Sequence, residues 1–307
     1  MLNSQVEWHL KGTCIWILSL LGLVDNTILI VQKLRHPNKY SIATVFAIMV
    51  AVSGIGMIIM EQSTFLSENI SPVTAPDWLW SINKFTSSNY CYFLRALFPY
   101  IVDLAVVNNQ INLYVLICRP QSTQLMLSKT VTTGEIAFNL GLSSIFASLT
   151  TKLENDLRES PGLTINGSDN VQKIWISKVV LVICFSMTTC GFCLFFTCKI
   201  RATLLKAIKF LRSSNATGRA AEAYERIIKV SMIICVIFLV YNLLIVSLDI
   251  TVHFIRFSEA TGFDSNNYQY DAVRSMNLLN AIVLIRLVNN IIVCFKPCCY
   301  GIAFIAL

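Results

Sequence analysis

Seven stretches of about 20 mainly apolar residues, at about 13–32, 41–60, 92–117, 131–149, 174–198, 230–254 and 276–304, constrain this chain more than anything else in it. At 1.5 Å of rise per residue, each is long enough to cross about 30 Å of hydrocarbon as an α-helix. Membrane-spanning strands alternate apolar and polar positions, whereas these runs are apolar on all faces. The expected fold is therefore all-α, a single seven-helix bundle over residues 1–307, with its fourth run interrupted by Gly134, Glu135 and Asn139. Charged residues are 13% of the chain and hydrophobic ones 55%, against about 25% charged in ordinary globular proteins. That balance excludes a soluble domain, a disordered chain and, despite a formal net charge of +7, a nucleic-acid binder. The first run has no cationic cluster before it, exceeds a signal peptide's apolar core and contains Asp25 and Asn26, so it reads as a retained span.

The loops set the orientation. One set of connections carries Lys33, Arg35, Lys39, Arg119, Lys129, Lys199, Arg201, Lys206, Lys209, Arg212, Arg219, Arg226 and Lys229, with Glu222 and Glu225 as its acids. The other holds Glu7, Glu61, Glu68, Asp77, Glu154, Asp156, Glu159, Asp169, Glu259, Asp264 and Asp271 with far fewer cations. Cationic loops stay in the cytoplasm, which puts the N-terminus outside and the C-terminus inside. The sequons at Asn69 and Asn166 then fall outside, where glycosylation is open to them, and that at Asn215 falls inside. Cys14 and Cys91 lie near the oxidising face, which leaves a bridge between them open. Most other cysteines lie within or at the inner ends of the runs, no zinc-binding spacing appears, and no cofactor is implied. Cys298-Cys299 reads as small buried thiols, with palmitoylation as the alternative.

Several strings fall in order along the chain. Gly22-Leu23-Val24-Asp25-Asn26 precedes an apolar run to Lys33-Leu34-Arg35, and His36-Pro37-Asn38 follows. Tyr114 to Arg119-Pro120 closes the third run, and Phe295-Lys296-Pro297-Cys298-Cys299-Tyr300 closes the seventh. Together these resemble a highly divergent rhodopsin-like G-protein-coupled receptor, of the kind found among lineage-specific chemoreceptors. The departures are plain as well. Asn112-Leu113-Tyr114 stands where DRY is expected, helix two lacks the family's aspartate, helix six reads Phe238 to Leu244 without the Trp and Pro of FxxCWxP, and helix four lacks its Trp. The resemblance implies a plasma-membrane receptor, Asn26, Asp25, Tyr114, Arg119, Lys296, Pro297 and Tyr300 at motif positions, and a heterotrimeric G protein as partner.

Charges inside a bilayer are costly, roughly 2.5–3.5 kcal/mol at the centre, so each needs a partner or a purpose. Arg286 lies about 16 Å up its helix from Pro297, a level at which the resemblance implies a ligand pocket, with Asp249 and Arg95 bordering it. Arginine grips a carboxylate with two parallel bonds, so one reading is a site for an acidic small molecule or peptide. The other is that Arg286 pairs with Asp249 or Asp103 to lock the bundle. Arg95 and Lys178 lie near the interface, where snorkelling is expected. Asp103 is deeper and precedes Asn108, Asn109, Gln110 and Asn112, which must face other helices, as a transmission network or as interhelical glue. Pro99 frees a carbonyl and is expected to kink the helix. For Lys296 the expected counter-charge is Asp25; snorkelling toward inner-leaflet phosphates is the alternative.

After the fifth run, Ile200, Leu204, Ile208 and Leu211 recur at helical spacing opposite basic residues, so the helix is expected to continue into the cytosol. Residues 213–218 break it, and helix six restarts with Glu222 and Arg226 four apart. Arg201, Lys206, Lys209, Arg226 and Lys229 would face a G protein, or simply the anionic inner leaflet. The function expected is signal reception rather than catalysis: the histidines His9, His36 and His253 are scattered, and neither HExxH nor GxSxG occurs. A transporter or channel is the alternative, although no internal repeat or pair of Gly/Pro-broken helices is seen.

Overall fold

A computed structural model describes residues 4–35, 42–69, 84–119, 128–159, 168–213, 218–261 and, in part, 281–303. Among the described residues there is no strand. Among the described residues, six helices are long and apolar enough to cross a membrane: α1 Ser4–Arg35, α2 Ile42–Asn69, α3 Asn89–Cys118, α4 Lys129–Glu159, α5 Ser168–Ser213 and α6 Gly218–Thr261. A shorter apolar helix, α7 (Ile291–Ala303), lies in the seventh run, of which residues 281, 284–285 and 288–289 are also helical.

Local chemistry sets the helix ends. Ser88 caps α3, its hydroxyl oxygen accepting from the Cys91 N–H at 3.2 Å. At the other end the Arg119 N–H donates to the Val115 carbonyl at 2.9 Å, and Pro120 follows, which disfavours helix in the residue before it. Ser128 caps α4 in the same way, accepting from the Val131 N–H at 3.3 Å. The fifth and sixth helices run far past their apolar spans. With 46 and 44 residues, they are about 69 and 66 Å long at 1.5 Å per residue, twice what hydrocarbon needs.

Consecutive helices pack on one another, and α3 packs against α2, α4, α5 and α6, which makes it the hub. Around it a core forms from Phe46, Ala47 and Val50 of α2, Val102, Ala105 and Val106 of α3, Cys193 of α5, Ile234 and Phe238 of α6, and Tyr300 of α7. Glycines permit the closest approaches. A Cβ on Gly56 would lie 2.6 Å from the Phe98 ring, and one on Gly54 would lie 3.0 Å from the Pro297 Cβ. The fourth helix is attached most narrowly, along Asn139, Ser143 and Ala147, one residue per turn.

The polarity of the molecule is inverted relative to a protein folded in water. Its interior holds Asn26, Asp103, Asn109, Gln110, Asn112, Asn139 and Lys296, while Trp16, Leu20, Ile28, Phe138, Ile145 and Phe195 point outward. Apolar area of that extent is stable only against lipid. The chain is a multi-pass membrane protein.

Candidate functional site

Lys296 is among the most deeply buried side chains. Its Nζ lies 2.6 Å from Asp103 Oδ1, and the two side chains are 1% and 7% exposed. The Asn242 amide of α6 lies in hydrogen-bonding reach of the same carboxylate, and Cys190 of α5 and Tyr300 of α7 are its electrostatic neighbours. One ion pair thus ties α7 to α3 where α5 and α6 also converge. Desolvating two charges costs several kcal/mol each, which only mutual attraction and added hydrogen bonds offset, so such a pair is far more costly to break than to omit.

The counter-charge expected for Lys296 was Asp25, and the geometry corrects this. Helix α7 presents three faces. Pro297 and Gly301, four apart, meet α1 and α2: the Asn26 amide donates to the Pro297 carbonyl at 3.5 Å, and Gly301 abuts Asp25. Lys296 lies five residues from Gly301, about 140° around the helix, so it cannot face Asp25 and instead turns inward with Tyr300. The third face carries Phe295, its ring 6.3 Å from that of Tyr241, and Cys299, 3.2 Å from the Tyr241 hydroxyl. The alternative of snorkelling is corrected too, since Lys296 is sealed from both surfaces.

Other charges near the end away from the α5–α6 hairpin are paired rather than snorkelling. Arg95 grips Glu61 of α2 with Nε and Nη2 at 2.9 and 3.1 Å, and Lys178 of α5 lies 2.5 Å from Glu154 of α4. Glu61 was assigned to an outer loop, but α2 continues more than two turns past Met60 and carries it inside, 7% exposed. Neither Gly nor Pro occurs between Gly56 and Pro72, the signal that could have found it. We expect Arg95→Ala, which strands that carboxylate, to cost about 2 kcal/mol, below a fully buried pair because Arg95 is 34% exposed. The readout is the thermal midpoint in detergent, and Glu61→Gln added to it should recover part of the loss.

Along α3, polar contacts succeed one another from end to end. Arg95 meets α2, Tyr100 bonds Thr150 of α4 at 2.9 Å, and Asp103 meets α7. Gln110 accepts from Ser231 of α6 at 2.8 Å, and Asn112 donates to Glu135 of α4 at 2.9 Å. Asn242, Thr150 and Ser231 were invisible to sequence reasoning, because a lone polar residue in an apolar run does not name its partner. At its C-terminal end Leu113, Tyr114 and Ile117 pack against a separate apolar cluster of Ile200, Leu204 and Ile208 of α5 with Ala221 and Ile228 of α6.

That cluster holds the hairpin formed by the extended ends of α5 and α6. The basic residues Lys199, Arg201, Lys206, Lys209, Arg212, Arg219, Arg226 and Lys229 lie exposed on its outside, and Arg212 bridges to Glu225 across it at 2.5 Å. Arg119 is the exposed C-cap of α3. Cys91 is a free thiol, 4.0 Å from the Met60 sulfur, so the bridge to Cys14 is not made. Asn69 is the last residue of α2, and Asp249 lies on α6. Arg286 and Asn166 lie outside the described residues. The protein matches no known family model and no curated protein.

Proposed function

We propose that this protein is a seven-span plasma-membrane receptor, its N-terminus outside and its C-terminus in the cytoplasm, that transmits binding of an extracellular ligand to a heterotrimeric G protein. The observation that carries this reading is that one helix joins the buried ion pair to the hairpin. Asp103 meets Lys296 near the middle of α3, and Leu113 to Ile117, about 15–21 Å further along, seat the α5–α6 projection. A ligand that favours one arrangement of α3 against α7 shifts the population of hairpin positions by its differential affinity for the two. The resemblance of the motif strings supports the same assignment. The ligand is an acidic small molecule or peptide, with Arg286 as its anchor.

The test is nucleotide exchange by G proteins in membranes carrying the full chain. Asp103→Asn with Lys296→Met removes the latch while leaving no charge stranded, so the bundle folds and ligand-independent exchange rises, tenfold for about each 1.4 kcal/mol by which the pair favours the resting arrangement. A screen of acidic metabolites and short peptides should give a response that Arg286→Ala abolishes; an equal response in that variant rejects the anchor. Solute flux in proteoliposomes with no nucleotide-dependent signal would replace the receptor by a transporter or channel.

A further inference from the structure

Asp103, Glu61 and Glu154 each pair with a cation; among the described residues none pairs with Glu135. Its partner is the Asn112 amide, which donates to Oε2 at 2.9 Å. The other end of that amide has no donor: Asn112 is 3% exposed, and its Oδ1 is buried without a hydrogen-bond partner. A half-buried carboxylate and an orphaned carbonyl oxygen, both acceptors, therefore stand side by side. Their depth is that of a lipid headgroup. The contacts of Asn112 with Glu135 and of Tyr100 with Thr150 set α4 antiparallel to α3, so Glu135, near the start of α4, is level with the end of α3. The 30 residues of α3 span about 45 Å, the thickness of a bilayer with its headgroups, of which about 30 Å is hydrocarbon. Asn112, six residues before Cys118, lies about 9 Å from that surface, at the boundary of hydrocarbon and headgroups. The Glu135 side chain leans toward the amino end of its helix, and so toward the same surface. Beside it Phe138 is exposed, and a Cβ on Gly134 or Gly141 would meet nothing within 4 Å, so an acyl chain can lie along α4.

We propose that Glu135 and Asn112 bind the primary ammonium of a phosphatidylethanolamine headgroup. An ammonium brings Glu135 its counter-charge and has N–H donors enough for both oxygens. Choline has no N–H to give, and the carboxylate of a serine headgroup would meet Glu135 with like charge. The amino end of α4, six residues before Glu135, favours an anion, so the lipid phosphate has a place there that a bare amine would not use. The site goes beyond the receptor reading and does not rest on it.

The test is native mass spectrometry of the full chain, released from detergent holding equal amounts of dioleoyl phosphatidylethanolamine, phosphatidylcholine and phosphatidylserine. The wild type should retain the ethanolamine lipid over the choline lipid about tenfold. Glu135→Gln, whose amide can still bond Asn112 and so keeps the two helices together, should retain the two alike. Asn112→Ala should reduce the preference to about threefold. Equal retention by the wild type, a preference unchanged in Glu135→Gln, or stronger retention of the serine lipid overturns the proposal. Oleylamine that displaces the phospholipid at equal concentration would make the ammonium alone the ligand, and overturns it too. A protonated Glu135 that donates its own O–H to Asn112 needs no lipid, and would show as equal retention.

Discussion

Lys296→Met, made alone, should lower the thermal midpoint of the detergent-solubilised protein by on the order of 10 °C. It leaves the Asp103 carboxylate, 7% exposed, as an uncompensated charge in the centre of the bundle, at a cost of about 3–5 kcal/mol. For a large domain each kcal/mol moves the midpoint by about 2–4 °C. Asp103→Asn alone is expected to do comparable damage by stranding the ammonium. Both changes together should return the midpoint to near the wild-type value, because neutral groups of similar volume need no desolvation. Exchanging the charges, Asp103→Lys with Lys296→Asp, tests geometry rather than sign and should recover only part. Single variants no less stable than the wild type would mean that the two groups do not meet.

The second large effect concerns helix approach. Leucine at Gly54 or Gly56 should destabilise the bundle by about 1–3 kcal/mol or more through overpacking. At Gly56 even the first added carbon falls 2.6 Å from the Phe98 ring, so α2 and α3 must part. At Gly54 it meets Pro297 and Asn26, so α7 loses its seat against α1. Alanine separates the two positions. Gly54→Ala needs a shift of a few tenths of an ångström, whereas Gly56→Ala needs the aromatic ring to move. A lower midpoint for Gly56→Ala than for Gly54→Ala is the expected order.

Much of the architecture could be read from the chain because solvent writes it there. Six of the seven apolar runs coincide with helices long enough to span a membrane, and the pattern Ile200, Leu204 and Ile208 marked the side of α5 that packs with α6. The site was legible only as a set of charges. Lys296 stood out in an apolar run, but its partner lies 193 residues away, and periodicity fixes the angle of a residue on its own helix, not which neighbour that angle meets. Glu61 was misplaced for a related reason: hydropathy marks where a helix leaves lipid, not where its backbone bonding stops. A buried carboxylate gripped by arginine looks, in sequence, like the first acid of a loop.

The narrow attachment of α4 has a consequence for the whole bundle. Beyond its buried line of Asn139, Ser143 and Ala147, it is held by Phe146 against Tyr100 and Phe185 and by Glu154 to Lys178, and its remaining sides face hydrocarbon. Its packing on α3 and α5 sets its tilt, and a mismatch with the thickness of the host bilayer biases that tilt by fractions of a kcal/mol per Å. Through the Glu135 and Thr150 side chains that reach α3, the composition of the surrounding lipid acts on the same spine that holds the central charges.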